Sequence, residues 1–172
     1  YLPTILPALS PKLPVPVVYN CGGYERAETL KLLEGKVDIY LPDMKYADSA
    51  IAARLSGAKD YFETAADAIR EMVRQTGQVA WQGEKVTKGV IIRHLILPGC
   101  VENSLKVLDW IGESFAPGEV LVSLMRQYTP MGGLPAPFDR QVTDEEYDAV
   151  LSWMLLNGLE GFTQERSSAE TT

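Results

Sequence analysis

The sequence predicts an α/β fold built on parallel strands, and three observations carry that expectation. Four nearly continuous apolar runs recur along the chain, amphipathic helical patterns lie between them, and polar residues gather where the runs end. Runs of this kind suit parallel strands covered on both faces, and their alternation with helices argues for βαβ units.

The predicted strands are VPVVYNCGG (15–23), VDIYLPDMKY (37–46), GVIIRHLILPG (89–99) and EVLVSLMRQYTP (119–130). A helix is expected over 25–35, where Ala27, Leu30 and Leu33 are three apart and Gly35 closes the pattern. A short helix is expected near 48–55. The strongest helical signal covers 60–77, where Phe62, Ala65, Ala66, Ile69, Met72 and Val73 form one stripe, Asp60 or a neighbour is placed to cap it, and Gly77 ends it. A turn is expected at Gln82-Gly83-Glu84. The pattern over 102–115 repeats the helix signal before Pro117, and Thr143 with Glu146 makes a capping box for a last helix ending at Asn157-Gly158. Residues 1–165 read as one structured unit and the polar stretch 166–172 as a disordered tail.

Composition narrows the function. A chain of 172 residues that is 46% hydrophobic has enough apolar material for a sizeable core. Its net charge of -7 and pI near 4.8 argue against a nucleic-acid surface. Apolar runs such as VIIRHLILPG are too short to span a bilayer, no signal peptide is marked, and a cytoplasmic location is expected. Only two cysteines occur, Cys21 and Cys100, neither of them in a CxxC pair. This fits a reducing compartment and leaves no thiolate set for an iron–sulfur or zinc site, so no metal ligand is assigned.

In parallel α/β folds ligands sit at the carboxyl ends of strands. Asn20, Asp43, Lys45, Pro98-Gly99 and Gln127-Tyr128 fall there. Alternation puts Asp43 and Lys45 on the face shared by Ile39 and Leu41, a pairing suited to a zwitterion such as an amino acid, although a surface ion pair has the same spacing. Arg93 lies among apolar neighbours and must be paired or face a ligand. His94, the only histidine, points the other way and reads as a hydrogen-bonded core residue. Gly22 and Gly23 allow a tight turn after the first strand, Cys21 and Cys100 read as partly buried residues and not nucleophiles, and the methionines read as packing. Gly132-Gly133, set among prolines, makes a mobile loop.

Taken in order, VVYNCGGYE, TLKLLEGKVDIYLPDMKY, AIREMVRQTG, GVIIRHLILPGC, VSLMRQYTP and VTDEEYDAVLSWMLLNGLEGFTQE resemble radical S-adenosylmethionine (SAM) enzymes of the pyruvate formate-lyase-activating type. The resemblance implies a partial (β/α) TIM-like barrel with outer helices. It also implies a [4Fe–4S] cluster that binds SAM and cleaves it reductively to a 5′-deoxyadenosyl radical, and a partner protein that receives a glycyl radical. By position, Asn20, Asp43, Lys45 and Arg93 would line the SAM pocket. Leu95 would lie near the adenine, with Gln127 and Tyr128 at the mouth where the radical leaves.

The family's CxxxCxxC and its Gly-rich strand end are missing from this sequence. The expectation is therefore a chain holding the later units only, starting near YLPTILPALS, unable to bind the cluster and weak toward SAM. The edge near Val15 and Tyr19 would then lack a neighbour and pair with a second copy. Three other readings stay open: an aldolase-like lyase with a Schiff base on Lys45, a non-catalytic α/β binding module, and a natural cluster-free relative serving as a partner subunit.

Overall fold

The computed structural model describes residues 14–130 and 132–164. The elements run β1 (Val18–Cys21), α1 (Ala27–Lys31), β2 (Ile39–Pro42), α2 (Ser49–Ser56), α3 (Tyr61–Thr76), β3 (Ala80–Gln82), β4 (Lys85–Leu95), α4 (Val101–Ser114), β5 (Val120–Met125), α5 (Asp144–Leu156) and β6 (Gly161–Phe162). The sheet order is β1-β2-β4-β5-β6, with every pair along that path parallel and β3 pairing antiparallel with the start of β4. An open, parallel-stranded sheet with helices on its outer side is the partial TIM-like barrel expected of the sequence.

The outer face of the sheet carries the main core. Tyr40, Val90, Ile92, Val122 and Leu124 are buried there against Leu30, Ile69, Met72, Val107, Leu108, Ile111, Val150 and Met154 of the helices. Each such side chain contributes about 1.5–3 kcal/mol on burial, which is what holds the short α1 and α2 in place. The inner face is thinner. Ile39, Ile91 and Leu121 form a small cluster flanked by Leu41, Val79 and Val86.

Several boundaries differ from the sequence expectation. β4 begins at Lys85, four residues before the expected Gly89, because its first part forms a hairpin with β3 around the turn at Gly83. That segment, AWQGEKVTK, is largely exposed and shows no apolar run. α1 shrinks to five residues. β6 is a two-residue strand with no run to announce it. Asp60 makes no side-chain cap bond and instead accepts from the Tyr24 hydroxyl at 2.8 Å. The capping box of Thr143 and Glu146 is present as expected. The opening stretch YLPTILPALS and the tail 166–172 lie outside the described residues. Among the described residues β1 is a sheet edge, with Val15 and Val18 exposed, and no helix is long and apolar enough to cross a membrane.

Gly23 shows how tightly the carboxyl ends of β1 and β2 meet. Its φ is +78°, and a Cβ there would be driven into the Asp43 carbonyl oxygen. Gly35, at φ +74°, has open space around it. Gly23→Ala is expected to cost about 3 kcal/mol or more in urea unfolding, from clash plus strain, and Gly35→Ala about 1 kcal/mol from strain alone. Equal losses would show that the Asp43 backbone yields freely.

Candidate functional site

The site begins where β2 runs out. The parallel ladder continues for a step beyond the strand through an Asp43–Arg93 bridge, with Asp43 N–H donating to Cys21 O at 3.1 Å and Met44 N–H to Arg93 O at 2.9 Å. After that the backbone leaves the sheet while still in the interior, and its polar groups need new partners. Side chains from β4, α3 and α4 supply them. His94 Nδ1 bonds Met44 O at 2.6 Å. The Tyr61 hydroxyl accepts from Lys45 N–H at 3.1 Å and lies 3.0 Å from both Asp43 O and Gly22 O, its acceptors. Asn103 donates to Lys45 O at 3.0 Å and accepts from Ala47 N–H and Asp48 N–H at 2.8 and 3.2 Å. Asp48 in turn caps α2 through Ala50 N–H and Ile51 N–H.

A carbonyl only accepts, so His94 carries its proton on Nδ1, and Nε2 accepts from the Ser104 hydroxyl at 2.8 Å. Complete burial pushes its pKa down to about 4, against the smaller opposing effect of the Met44 carbonyl. The histidine is a neutral structural strut behind the site, as its place in the alternation predicts.

On the inner face three charges meet. Lys45 Nζ is 3.4 Å from Asp43 Oδ2, and Arg93 Nη2 is 2.5 Å from Asp43 Oδ1. Asp43 is 13% exposed, Arg93 27% and Lys45 39%. The Arg93 contact is close but not an aligned hydrogen bond: Asp43 Oδ1 and Arg93 Nε are buried with no hydrogen-bond partner among the described residues. Among the described residues one carboxylate thus serves two cations, leaving this trio with one positive charge in excess and a guanidinium nitrogen unsatisfied. An anionic group arriving here would complete both.

Beside the triad opens a cleft of about 470 Å³ lined by Lys45, Tyr46, Leu55, Leu95, Leu97, Gln127, Tyr128, Thr129 and Leu134. Its walls are mostly apolar, with a single ammonium and a single carboxamide, the make-up of a small-molecule pocket. The loop after β5 forms one rim and is held in place. Tyr128 donates to Phe138 O at 3.0 Å, Gln127 accepts from Gln164 at 3.0 Å, and Glu146 receives Gly99 N–H at 2.7 Å and a forked pair from Arg140 at 2.7 and 2.8 Å. Burial pushes the Cys21 thiol up to about 11, so it rests protonated.

The structure therefore brings Lys45 and Arg93 each into contact with Asp43 and puts Lys45, Leu95, Gln127 and Tyr128 around one cleft. Asn20 lies on the same face through its register opposite Leu41 and is exposed; like Asp43 and Arg93, it is not among the residues lining the cleft itself. Sequence reasoning missed Tyr61, Asn103 and Ser104, and the signal was present. Asn103 and Ser104 precede Val107 and Leu108 by four residues on the buried stripe of α4, and Tyr61 opens the buried stripe of α3.

No family model matches the chain. An uncharacterized protein of Methanocaldococcus jannaschii is 32% identical over 143 residues, covering 80% of this chain and 37% of that protein. The chain thus spans little more than a third of that relative's length. A solved domain of pyruvate-formate lyase-activating enzyme from Bacteroides vulgatus superposes with a TM-score of 0.61 at 13% identity, covering 86% of this chain and 80% of the other. At that identity the likeness establishes the fold.

Because the folded pKa of His94 lies below the unfolded value of about 6.5, the unfolded chain takes up a proton first as pH falls. The contribution of His94 to stability is full above about pH 6.5 and is lost progressively toward pH 4. Urea midpoints measured from pH 7 to pH 5 are expected to fall in the natural protein and to stay flatter in His94→Asn. Parallel slopes would place the histidine in a solvated setting.

Proposed function

We propose that this chain is the later part of a radical SAM partial barrel, and that Asn20, Asp43, Lys45, Arg93, Leu95, Gln127 and Tyr128 are its contribution to a SAM site. The observation that supports this most is the meeting of Asp43 with both Lys45 and Arg93 beside an apolar cleft at the carboxyl ends of the strands. An amino-acid end needs a cationic place for its carboxylate and an acceptor for its amine. Lys45 and Arg93 supply the first, Asp43 the second, and Leu95 with the Tyr128 ring supplies apolar surface for the rest of the molecule. The buried, unpartnered Arg93 Nε is a group such a carboxylate would satisfy.

The family's iron–sulfur cluster is a separate matter. It requires three clustered thiolates, and this sequence has two cysteines. No group of three His, Cys, Asp or Glu side chains able to hold a metal occurs among the described residues. In this reading the reductive step and the transfer of a radical to a glycine on a partner protein are activities of the full-length enzyme, and this chain contributes part of its SAM site. The β1 edge, open among the described residues and with Val15 and Val18 exposed, is the surface proposed to pair with a second copy.

Calorimetric titration with SAM and with S-adenosylhomocysteine tests the binding proposal. Weak binding of both is expected, falling about tenfold or more in Arg93→Leu and in Lys45→Met, since each loses a charged hydrogen bond to the carboxylate. Equal binding by the variants, or none at millimolar ligand, would contradict it.

A further inference from the structure

We infer that Asn103, a buried residue of α4 that does not itself line the cleft, is the positioning residue for Lys45. The inference rests on Lys45 being a ligand-facing group, as proposed above.

Asn103 is 3% exposed, and its single carboxamide is used almost to capacity. The amino half holds Lys45 O, and the carbonyl half holds Ala47 N–H and Asp48 N–H. These bonds fix the backbone at Lys45 and again two and three residues later, so the segment cannot rotate about either end without breaking one of them. The Lys45 side chain is long and 39% exposed, and its 3.4 Å contact with Asp43 is too weak to hold it alone. What directs the ammonium toward Asp43 and the cleft is the orientation of its own peptide, and Tyr61 and Asn103 are the side chains that fix it. Asn103 also sets the opposite wall. Asp48, held through its N–H, caps α2, and α2 carries Leu55 into the cleft. One amide thus fixes the cation and an apolar wall together.

The geometry separates this role from that of the neighbouring Ser104. Ser104 meets Met44 only through His94, and Met44 points into the helix-side core. Loss of Ser104 unsettles a buried strut but leaves every bond to Lys45 in place.

Trace labelling of lysine amines with acetic anhydride on the full chain, read by peptide mass spectrometry, tests the inference. Lys88 and Lys106 serve as internal references. Lys45 is expected to label about threefold faster relative to them in Asn103→Ala, as release from Asp43 frees its amine. Asn103→Asp keeps both acceptor bonds, should fold even where the alanine variant does not, and places a carboxylate against Lys45 O; it is expected to show the same acceleration. Ser104→Ala is expected to lower the thermal midpoint without changing Lys45. Unchanged Lys45 labelling in Asn103→Asp, with or without a fall in stability, would overturn the inference and leave Asn103 a structural residue. S-adenosylhomocysteine added to the natural protein reports separately on the functional reading: failure to protect Lys45 would count against SAM binding and leave the positioning role standing.

Discussion

The arrangement depends on how the chain leaves β2. A strand that ends in the interior strips its backbone of ladder partners while water is still excluded, and each unpaired amide or carbonyl there costs about 1–3 kcal/mol. This protein meets that demand with side chains from three other elements: His94 on β4, Tyr61 on α3 and Asn103 on α4. The polar groups of residues 43–48 are thereby tied to the same helices that cover the outer face of the sheet. Packing on one side of the sheet fixes the direction of charges on the other.

That coupling explains why the inner face tolerates an unbalanced cluster. Two cations share one carboxylate, and a guanidinium nitrogen remains unsatisfied. Left to itself such a group would relax toward solvent. Here Arg93 is held in a strand paired on both sides, and Asp43 is held by the bridge to it. A cluster kept short of one anion by a rigid frame is organised in advance of the ligand proposed for it, which is the condition for specific binding at low cost in ordering. The adjoining cleft, apolar but for Lys45, Gln127 and Thr129, has the make-up that the proposed ligand, charged at one small end, requires.

Much of this was legible in the sequence because strand alternation is a strict rule. Asp43 follows Ile39 and Leu41 by twos, Arg93 follows Ile91, and the parallel register places the charges side by side. His94 was legible for the same reason. The β3–β4 hairpin and β6 were not, since an exposed ribbon and a two-residue edge strand leave no apolar run. Asn20 shared the alternation, but its exposure was not legible, because register fixes a face and not a depth. Asn103 and Tyr61 escaped because each sits at the start of a helix stripe otherwise filled by apolar residues, where a polar group declares a partner without naming it. That partner was the backbone of a segment more than fifty residues away in Asn103's case, and such contacts emerge only when the fold is assembled.

The central claim is that Asp43, Lys45 and Arg93 form one receptor for the amino-acid end of a sulfonium ligand. A crystal structure of this chain grown with S-adenosylhomocysteine tests it most directly. The account predicts the ligand carboxylate within ion-pair distance of Lys45 and Arg93, its amine against Asp43, and its remainder along Leu95 and Tyr128. A ligand bound elsewhere, or bound with its carboxylate turned away from both cations, would contradict it.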